Sequence, residues 1–456
     1  MINLKRESSF LSILFLIVTV FLVVNFWDLG KSFLYDWDEG IYAQVARESR
    51  LSPILVWNQK PWFEKPPLVF WLTSLSFSLF KETELAARFF MPILGAVSLL
   101  LTYLLIKERV SERVAIISLL FFLIPSMFWA RSQGLNTDIS LLVGTVGGLF
   151  FLTRLEKKLG QKIAITVWDY FWPAFLVSFS VMSKGLIGFL PALVWLVYLI
   201  FVQRSLLKAN FKNWLIVALL VAAIISPWHI YLTVRFGRQF WQVYFIEHIF
   251  RRAYQPIEYH FGGKLYYIKF LILEFGYWLL PVVIGGLLWL LNQIKKKKID
   301  QSFAFFLIWG GLVFCLFTFS KTKLFWYILP IYPALAVCWG VFWDKFFYFK
   351  KRFLIPVIFL ALFLVLIQKY LIIIRSDFSI PGPKIALAIT AKNYCQPPLL
   401  FLVDKNERAA KDILPDQLTL SSSFSYGGSP SVVFYFADQV NFFYQPNQFQ
   451  DQLLYK

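Results

Sequence analysis

The sequence contains many apolar runs of about 18 residues or more, separated by short polar segments. Of its 456 residues, 59% are hydrophobic and only 16% are charged, whereas soluble domains average about 25% charged residues. The runs are continuous rather than alternating, which favours membrane-spanning helices over a β-barrel. We therefore expect an all-α, polytopic membrane protein.

The net charge of +19 reflects membrane topology rather than nucleic-acid binding, because the lysines and arginines cluster in short segments between the apolar runs. Lys5 and Arg6 place the N-terminus in the cytoplasm of a cell-membrane protein. The run 67–80 is too short to cross, so we expect it to lie along the outer interface. The eleven predicted spans are 10–27, 85–106, 114–130, 138–153, 166–183, 186–202, 213–233, 266–292, 303–319, 324–343 and 353–374.

Two regions follow from this topology. We expect residues 1–375 to form a transmembrane domain, with a first outer loop at about 28–84, and residues 376–456 to form a small extracytoplasmic C-terminal region. In that region, the stretch VVFYFADQVNFFY favours one or two strands. The first apolar run lacks a small-residue cleavage site, which indicates a retained span rather than a signal peptide.

The same topology places nine acidic, basic or histidine side chains at the outer membrane face. These nine residues were not used to assign the topology. They are Asp38, Glu39, Glu64, Lys65, Asp138, Lys184, Glu247, His248 and Lys321. Carboxylates that can accept protons and lysines that can bind anions are therefore expected on one side of the membrane.

Each acid also has a purely structural interpretation. The stretch 37–47 has helical apolar spacing that Asp36 could cap, so Asp38 and Glu39 could simply complement the helix N-terminus. Asp138 opens an apolar span and could be its cap, a role that neighbouring Asn136 or Thr137 could fill instead.

The basic residues have comparable alternatives. Lys65 precedes Pro66-Pro67 and a helix N-terminus, an arrangement that suits anion binding, but it could also be an interfacial lysine. Lys184 and Lys321 on the same face favour phosphate binding. Glu247, His248, Arg251 and Arg252 fall on an amphipathic segment that could bind lipid headgroups instead.

Acids and lysines at the outer interface suit glycosyl transfer from a membrane-anchored, phosphate-linked sugar. Lysines would stabilise the phosphate leaving group, and a carboxylate would take a proton from the attacking hydroxyl. A second acid could hold a divalent metal or position the acceptor. The alternatives are a transporter or flippase for the same anionic lipid, and a non-catalytic assembly protein.

Across about residues 30–345, the chain resembles the family 39, PMT-like glycosyltransferases, and within them the ArnT-like branch. The residues that carry the resemblance, in chain order, are DEGIYAQVARES, WFEKPPLVFWLTSLSFSLF, ETELAARF, TDISL, SKGLIG, YFIEHIFRR and FSKTKLFWYILP. Three features depart from the family pattern: Ile41 stands where arginine is more usual, SKGLIG replaces KGP, and the C-terminal region is short.

The resemblance implies a GT-C fold, an outer-face site, a polyprenyl-phosphate sugar donor and an extracytoplasmic acceptor such as a lipid A-like lipid, a glycan or a protein hydroxyl. It implies lipid A modification as one setting, membrane lipids as partners and no nucleic acid. The implied catalytic residues are Asp38, Glu39 and Asp138, and the implied donor-phosphate ligands are Lys65, Lys184 and Lys321. The implied substrate-positioning residues are Glu64, Tyr42, Glu247, His248 and Arg251. A divalent metal, if one is used, would lie at Asp38 and Asp138, and no other cofactor is implied.

Overall fold

The computed structural model describes residues 2–296, 300–347, 380–404, 420 and 423–454. The α-helices up to residue 201 are α1 (Ile2–Phe26), α2 (Asp38–Ser49), α3 (Leu68–Phe80), α4 (Glu84–Arg88), α5 (Phe90–Arg109), α6 (Glu112–Phe121), α7 (Ser126–Gln133), α8 (Asp138–Gly160), α9 (Val167–Lys184) and α10 (Leu190–Phe201). Those that follow are α11 (Arg204–Ala209), α12 (Phe211–Phe236), α13 (Arg238–Trp241), α14 (Arg252–Tyr254), α15 (Tyr266–Phe275), α16 (Leu279–Lys296), α17 (Gln301–Phe319), α18 (Tyr332–Phe347), α19 (Pro383–Tyr394), α20 (Ser431–Phe436) and α21 (Pro446–Leu454).

Shorter elements complete the described chain. The 3-10 turns are Gly185–Phe189, Ile257–Tyr259, Gly276–Trp278, Phe325–Ile331 and Ser423–Tyr426, and Gln242–Arg251 is a π-helix. Strands β1 (Val56–Trp57) and β2 (Lys60–Pro61) form an antiparallel pair, and β3 (Leu399–Leu402) and β4 (Val440–Phe443) form a parallel pair.

The protein is a mostly helical, multi-pass membrane protein. Among the described residues, seven helical stretches are long and apolar enough to cross a membrane, or eight if one bent pair forms a single span. The seven are Glu84–Arg109, Asp138–Gly160, Val167–Phe201, Phe211–Phe236, Tyr266–Lys296, Gln301–Phe319 and Phe325–Lys345. Two shorter apolar helical segments, Phe10–Phe26 and Leu68–Phe80, match the predicted run 10–27 and the predicted interfacial run 67–80. The predicted span 353–374 lies outside the described residues.

The stretch Val167–Phe201 is a hairpin, because the chain reverses at the 3-10 turn Gly185–Phe189. A Cβ built on Gly188 would lie 2.3 Å from the Cα of Val181, seven residues earlier, so the turn itself packs against the end of the first leg. Gly148 of α8 faces both legs at once, since its Cβ would meet Val177 and Pro191, each at 3.2 Å. The sequence predicted these two legs as 166–183 and 186–202, and the hairpin puts Lys184 at its tip.

The predicted single span 114–130 is wrong in detail, because the chain breaks between α6 and α7 with a bend of 82°. Pro125 stands at the break and cannot donate a helical hydrogen bond. The carboxylate of Glu274 accepts from the Ser126 hydroxyl at 3.1 Å, next to the first turn of α7. Helix α7 therefore runs in a different direction from α6, and it leads into the loop that precedes α8.

The C-terminal region docks on the first outer loop. Asn58 donates from Nδ2 to the Val440 carbonyl at 2.7 Å and accepts from the Val440 amide at 3.0 Å. Arg47 donates to the Phe434 carbonyl at 2.8 Å and lies over the Phe434 ring. Gly40 permits the close approach of the C-terminal region to α2, because a Cβ at position 40 would lie 2.7 Å from the Ser431 backbone nitrogen.

The stretch VVFYFADQVNFFY, predicted to form one or two strands, forms one strand and one helix. Its second half forms strand β4, which pairs with β3 in the register Leu399↔Val440 to Leu402↔Phe443. Its first half is the helix α20 rather than a strand. Val432, Val433, Phe434 and Phe436 of this short helix are buried, so the contacts it makes in the folded protein override the β-propensity of its residues.

Candidate active site

Helix α2 begins at Asp38 without a side-chain cap, which corrects the prediction that Asp36 caps it. The Asp36 carboxylate instead accepts hydrogen bonds from the backbone amide of Ser431, at 3.1 Å, and from its hydroxyl. The residue before the helix, Trp37, has φ of +67°, a left-handed value that is unusual for a bulky side chain. This turn places Asp38 at the mouth of a cavity.

A chain of alternating charges links two acids that line this cavity. An Arg131 nitrogen lies 3.8 Å from a carboxylate oxygen of Asp38 and 3.5 Å from one of Asp138. The Lys184 ammonium, at the tip of the hairpin, pairs with the other oxygen of Asp138. Arg131 also lies over the Trp326 ring, with Cζ 4.1 Å from the ring centroid. Asp38 is thus joined to Asp138 and Lys184 through Arg131.

Asp138 is available for these pairs because it is not the cap of α8. The side-chain oxygen of Asn136 accepts from the backbone amides of Asp138, at 2.8 Å, and Ile139, at 3.1 Å. Asn136 therefore fills the capping role, as one of the sequence alternatives foresaw.

Three further polar residues face the cavity from other elements: Lys65, Arg252 and Tyr327. Arg252 lies 3.4 Å from a carboxylate oxygen of Glu258. Burial, together with the positive charge of Arg252, lowers the pKa of the Lys65 amine to about 8. The cavity is lined by the cations Lys65, Lys184 and Arg252 and also by the acids Asp38, Glu64, Asp138 and Glu258. The charges of Lys65 and Arg252 repel each other, and an anion bound between them would relieve that repulsion.

The Asp38 carboxylate is held differently from an ordinary surface acid. The surrounding protein desolvates it and raises its pKa above the usual value, Arg131 opposes this rise, and the negative charge of Asp138 adds to it. Its side chain is nevertheless 43% exposed, because it borders the open cavity. An accessible carboxylate with a raised proton affinity suits general-base chemistry.

Six of the sequence-predicted residues line this one cavity: Asp38, Tyr42, Glu64, Lys65, Asp138 and Lys184. Five do not: Glu39, Glu247, His248, Arg251 and Lys321. Lys321 is exposed, and its neighbour Lys323 is buried and donates to the Phe317 carbonyl at 2.7 Å. Arg252, rather than the predicted Arg251, is the arginine of this segment that borders the cavity.

Glu39 is buried below the cavity in an ion pair. Its carboxylate accepts from Arg88 at 2.8 Å and 2.6 Å, from the Leu135 amide at 2.8 Å and from the Tyr35 amide at 2.9 Å. With both oxygens occupied by these donors, Glu39 holds the first outer loop together beneath the neighbouring Asp38.

His248 lies behind the cavity wall. Its side chain is only 2% exposed, and its Nε2 is 3.5 Å from a carboxylate oxygen of Glu64. Burial and the nearby charges of Lys65, Arg252 and Arg251 lower the pKa of His248 well below its usual value. The imidazole is therefore neutral, and its contact with Glu64 is not an ion pair.

The two acids expected to hold any divalent metal, Asp38 and Asp138, face cations of the protein itself. A metal ion between them would have to displace the guanidinium of Arg131. Within the described residues, no group of three or more His, Cys, Asp or Glu side chains is arranged to hold a metal.

The sequence did not assign a site role to Arg252, Tyr327 or Tyr426, which line the cavity, or to Arg131, which pairs with two of its acids. Arg131 follows the outer end of a predicted span and lies seven residues before Asp138, which is a signal for it. Tyr327 lies within FSKTKLFWYILP, a segment already singled out. Tyr426 comes from the C-terminal region, and nothing in the sequence pairs it with residues more than 350 positions earlier.

The chain is similar to several known proteins. Residues 64–231 match the family model described as dolichyl-phosphate-mannose-protein mannosyltransferase. Over this part of its length the chain is similar to the PMT-like glycosyltransferases. It is 27% identical over 330 residues to the undecaprenyl phosphate-alpha-4-amino-4-deoxy-L-arabinose arabinosyl transferase 2 of Proteus mirabilis, covering 71% of this chain and 58% of that one.

Two further matches bear on the length and the fold of this PMT-like relative. A protein of Aquifex aeolicus is 28% identical over 338 residues, covering 71% of this chain and 62% of that one, so the chain spans less than two thirds of the length of these relatives. The crystal structure of ArnT from Cupriavidus metallidurans bound to undecaprenyl phosphate superposes with a TM-score of 0.70 at 20% identity, covering 97% of this chain and 87% of that one. The chain shares the overall fold of that structure, which agrees with the mostly helical fold expected from the sequence.

Neighbouring acids in this site are expected to differ in what they do for stability. Glu39→Gln leaves the buried Arg88 charge without its full partner, so we expect a loss of about 3–5 kcal/mol. Asp38→Asn removes a carboxylate whose raised pKa means that folding disfavours its charge, so we expect a change within about 1 kcal/mol. Thermal unfolding of the two purified variants in one detergent measures the difference. Equal melting temperatures would contradict the structural role of Glu39.

Proposed function

We propose that this chain is an integral-membrane glycosyltransferase that moves a sugar from a polyprenyl-phosphate carrier to an acceptor outside the cytoplasm. The observation that carries the proposal is a single cavity in which an accessible carboxylate, Asp38, lies with the cationic groups of Lys65, Lys184 and Arg252. A base and an anion site within one cavity are the two elements that displacement of a sugar phosphate requires.

In the proposed reaction, a hydroxyl oxygen of the acceptor attacks the anomeric carbon of the donor sugar. The bond between that carbon and the phosphate oxygen breaks, and its electron pair leaves with the polyprenyl phosphate. Lys65 and Arg252 stabilise the second negative charge that develops on this phosphate. Asp38 takes the proton from the attacking hydroxyl. Attack opposite the leaving group inverts the configuration at the sugar carbon.

Arg131, Asp138 and Lys184 would act mainly on Asp38 and on the phosphate. Arg131 holds Asp38 and Asp138 at 3.8 Å and 3.5 Å, so the two acids share one cation. Asp138 in turn holds the Lys184 ammonium, which also lies 4.9 Å from the Tyr327 ring centroid. We assign Glu64 and Tyr42, which line the same cavity, to substrate positioning.

The relatives support the same donor class. The Proteus mirabilis relative is named for an undecaprenyl phosphate-linked sugar, and the Cupriavidus metallidurans structure holds undecaprenyl phosphate. A lipid-linked donor leaves its tail in the bilayer, so the enzyme needs no nucleotide-binding domain, which agrees with an almost wholly helical chain.

We further propose eleven spans, a cytoplasmic N-terminus and an outer-facing site in the inner or plasma membrane. The seven helical stretches become nine when the hairpin Val167–Phe201 counts as two spans and the pair α6–α7 counts as one. The segment Phe10–Phe26 and the predicted run 353–374 make eleven. The boundary between the catalytic domain and the outer C-terminal region falls at about residue 375 in this proposal.

Asp38→Asn tests the chemistry. We expect transfer to fall by about 100-fold or more, because general-base catalysis contributes about 10²–10⁴-fold, while inhibition by undecaprenyl phosphate stays unchanged. The assay supplies radiolabelled undecaprenyl-phosphate sugars one at a time, with a cell-envelope extract as the acceptor. A transporter or flippase would bind the same lipid through the same cations but would transfer no sugar, so donor binding without transfer in the wild type would overturn the proposed enzyme. Normal transfer in the variant would overturn Asp38 as its base.

The pH dependence tests Lys65. Its pKa of about 8 means that the free enzyme carries the ammonium below pH 8 and loses it above. The donor is a phosphodiester whose single charge does not change in this range. We therefore expect kcat/KM for the donor to fall as pH rises through about 8. In Lys65→Arg the guanidinium stays charged, so the fall should disappear. The same fall in both proteins would assign the titration to another group.

Cysteine labelling tests the orientation. Cys395 is exposed in the C-terminal region, so a membrane-impermeant maleimide should label it in intact cells or right-side-out vesicles. Cys395→Ser is the matched control and should lose the label. A cysteine introduced as Lys208→Cys, in a predicted cytoplasmic segment of the Cys395→Ser protein, should react only after the membrane is permeabilised. The reverse pattern would contradict the outer-facing site.

A further inference from the structure

Trp37 is an unusual residue to find between the two acids Asp36 and Asp38. Its side chain is 42% exposed and lines the cavity. Its backbone lies at φ +67° and ψ −115°, a conformation that L residues other than glycine rarely adopt. The surrounding structure therefore holds a large aromatic side chain in a strained position at the mouth of the cavity, and strain of this kind concentrates at functional sites.

Tyr426 of the C-terminal region braces this tryptophan. The two rings meet edge to face, with centroids 6.0 Å apart, and Tyr426 meets Trp57 in the same way at 4.7 Å. The Tyr426 hydroxyl accepts from the Trp62 indole at 2.7 Å and donates to the Glu64 carboxylate. Tyr426 is only 3% exposed, so its ring is fixed between the outer loop and the cavity.

Building on the proposed function, we propose that Trp37, braced by Tyr426, is the surface on which a saccharide acceptor stacks a sugar ring. The base must touch the attacking hydroxyl, and Trp37 is the residue next to Asp38. The charges of Lys65 and Arg252 act on each other, whereas Lys184 is paired with Asp138, so we assign the anionic donor phosphate to Lys65 and Arg252. The face of a pyranose ring presents C–H groups, which the negative face of an aromatic ring attracts.

The structural alternative is that Trp37 is an interfacial tryptophan that anchors the outer loop in the headgroup region. Trp27 supplies the matched control for that role. It is 69% exposed at the outer end of α1, it has the Lys31 ammonium 6.0 Å from its ring, and it is not among the residues that line the cavity. Anchoring predicts similar effects for both tryptophans, whereas stacking predicts an effect for Trp37 alone.

The experiment measures transfer from a radiolabelled undecaprenyl-phosphate sugar while the concentration of the envelope glycan and glycolipid fraction is varied. For Trp37→Ala we expect the acceptor KM to rise about tenfold or more, with an unchanged donor KM and unchanged inhibition by undecaprenyl phosphate. Trp37→Tyr should restore most of the acceptor affinity, and Trp27→Ala should behave as wild type. Trp37→Gly guards against misfolding, because glycine accepts the positive φ and yet removes the ring.

A pair of changes at Tyr426 separates its two roles. Tyr426→Phe keeps the ring that braces Trp37 and removes the hydroxyl that holds Glu64, so we expect a lower kcat with the acceptor KM unchanged. Tyr426→Ala removes the brace, so its acceptor KM should rise as in Trp37→Ala. A merely structural Tyr426 would instead change stability alone in both variants.

Two results would overturn this inference and leave the proposed function intact. One is a Trp37→Gly protein with the wild-type acceptor KM. The other is label that enters the protein fraction and is released only by proteolysis, since a peptide hydroxyl offers no sugar ring to stack. Failure of the proposed function would look different, because the wild type would then bind undecaprenyl phosphate but transfer no label.

Discussion

The buried ion pair between Glu39 and Arg88 is the interaction on which the site depends. The two side chains are 6% and 3% exposed, and a buried pair of this kind is stable only if its remaining hydrogen-bonding capacity is used. Here it is: Arg88 donates to the carbonyls of Leu29, Ser32 and Phe33, and Glu39 accepts from the amides of Tyr35 and Leu135. One pair thereby ties the first outer loop to α4 and to the segment before α8. Asp38 directly precedes Glu39 in the chain, so the ion pair also fixes the position of Asp38.

A second constraint comes from the C-terminal region, which contributes Tyr426 to the lining of the cavity. Asn58 and Val440 exchange two hydrogen bonds, and Tyr435 accepts from the Leu34 amide at 2.7 Å and donates to Glu84 at 2.9 Å. These contacts attach the region to both ends of the first outer loop. The loop is therefore held from below by a charge pair and from outside by a short packed domain, which leaves its acids little freedom to move.

The membrane helices were largely predictable because their signal is local. A continuous apolar run identifies a span whatever its neighbours are, and the positive charges between runs assign its side. The bend between α6 and α7 was missed, although Pro125 stands at it, because proline also occurs in unbroken membrane helices, where neighbouring groups satisfy the freed backbone. The helix α20 was missed because buried contacts override the propensity of Val432 and its neighbours.

The sequence by itself predicted which side of the membrane carries the chemistry, because hydropathy and charge assign each residue's depth and side without reference to the fold. It also supplied Asp38, Asp138, Lys65 and Lys184 as residues of that side. Only the tertiary structure decided that Glu39 is a buried structural acid while adjacent Asp38 faces the cavity, because a rotation of 100° along a helix separates neighbours by face. It alone brought Arg131 between two acids and Tyr426 against Glu64. Such pairings depend on distances between segments far apart in the chain, and no local pattern encodes those distances.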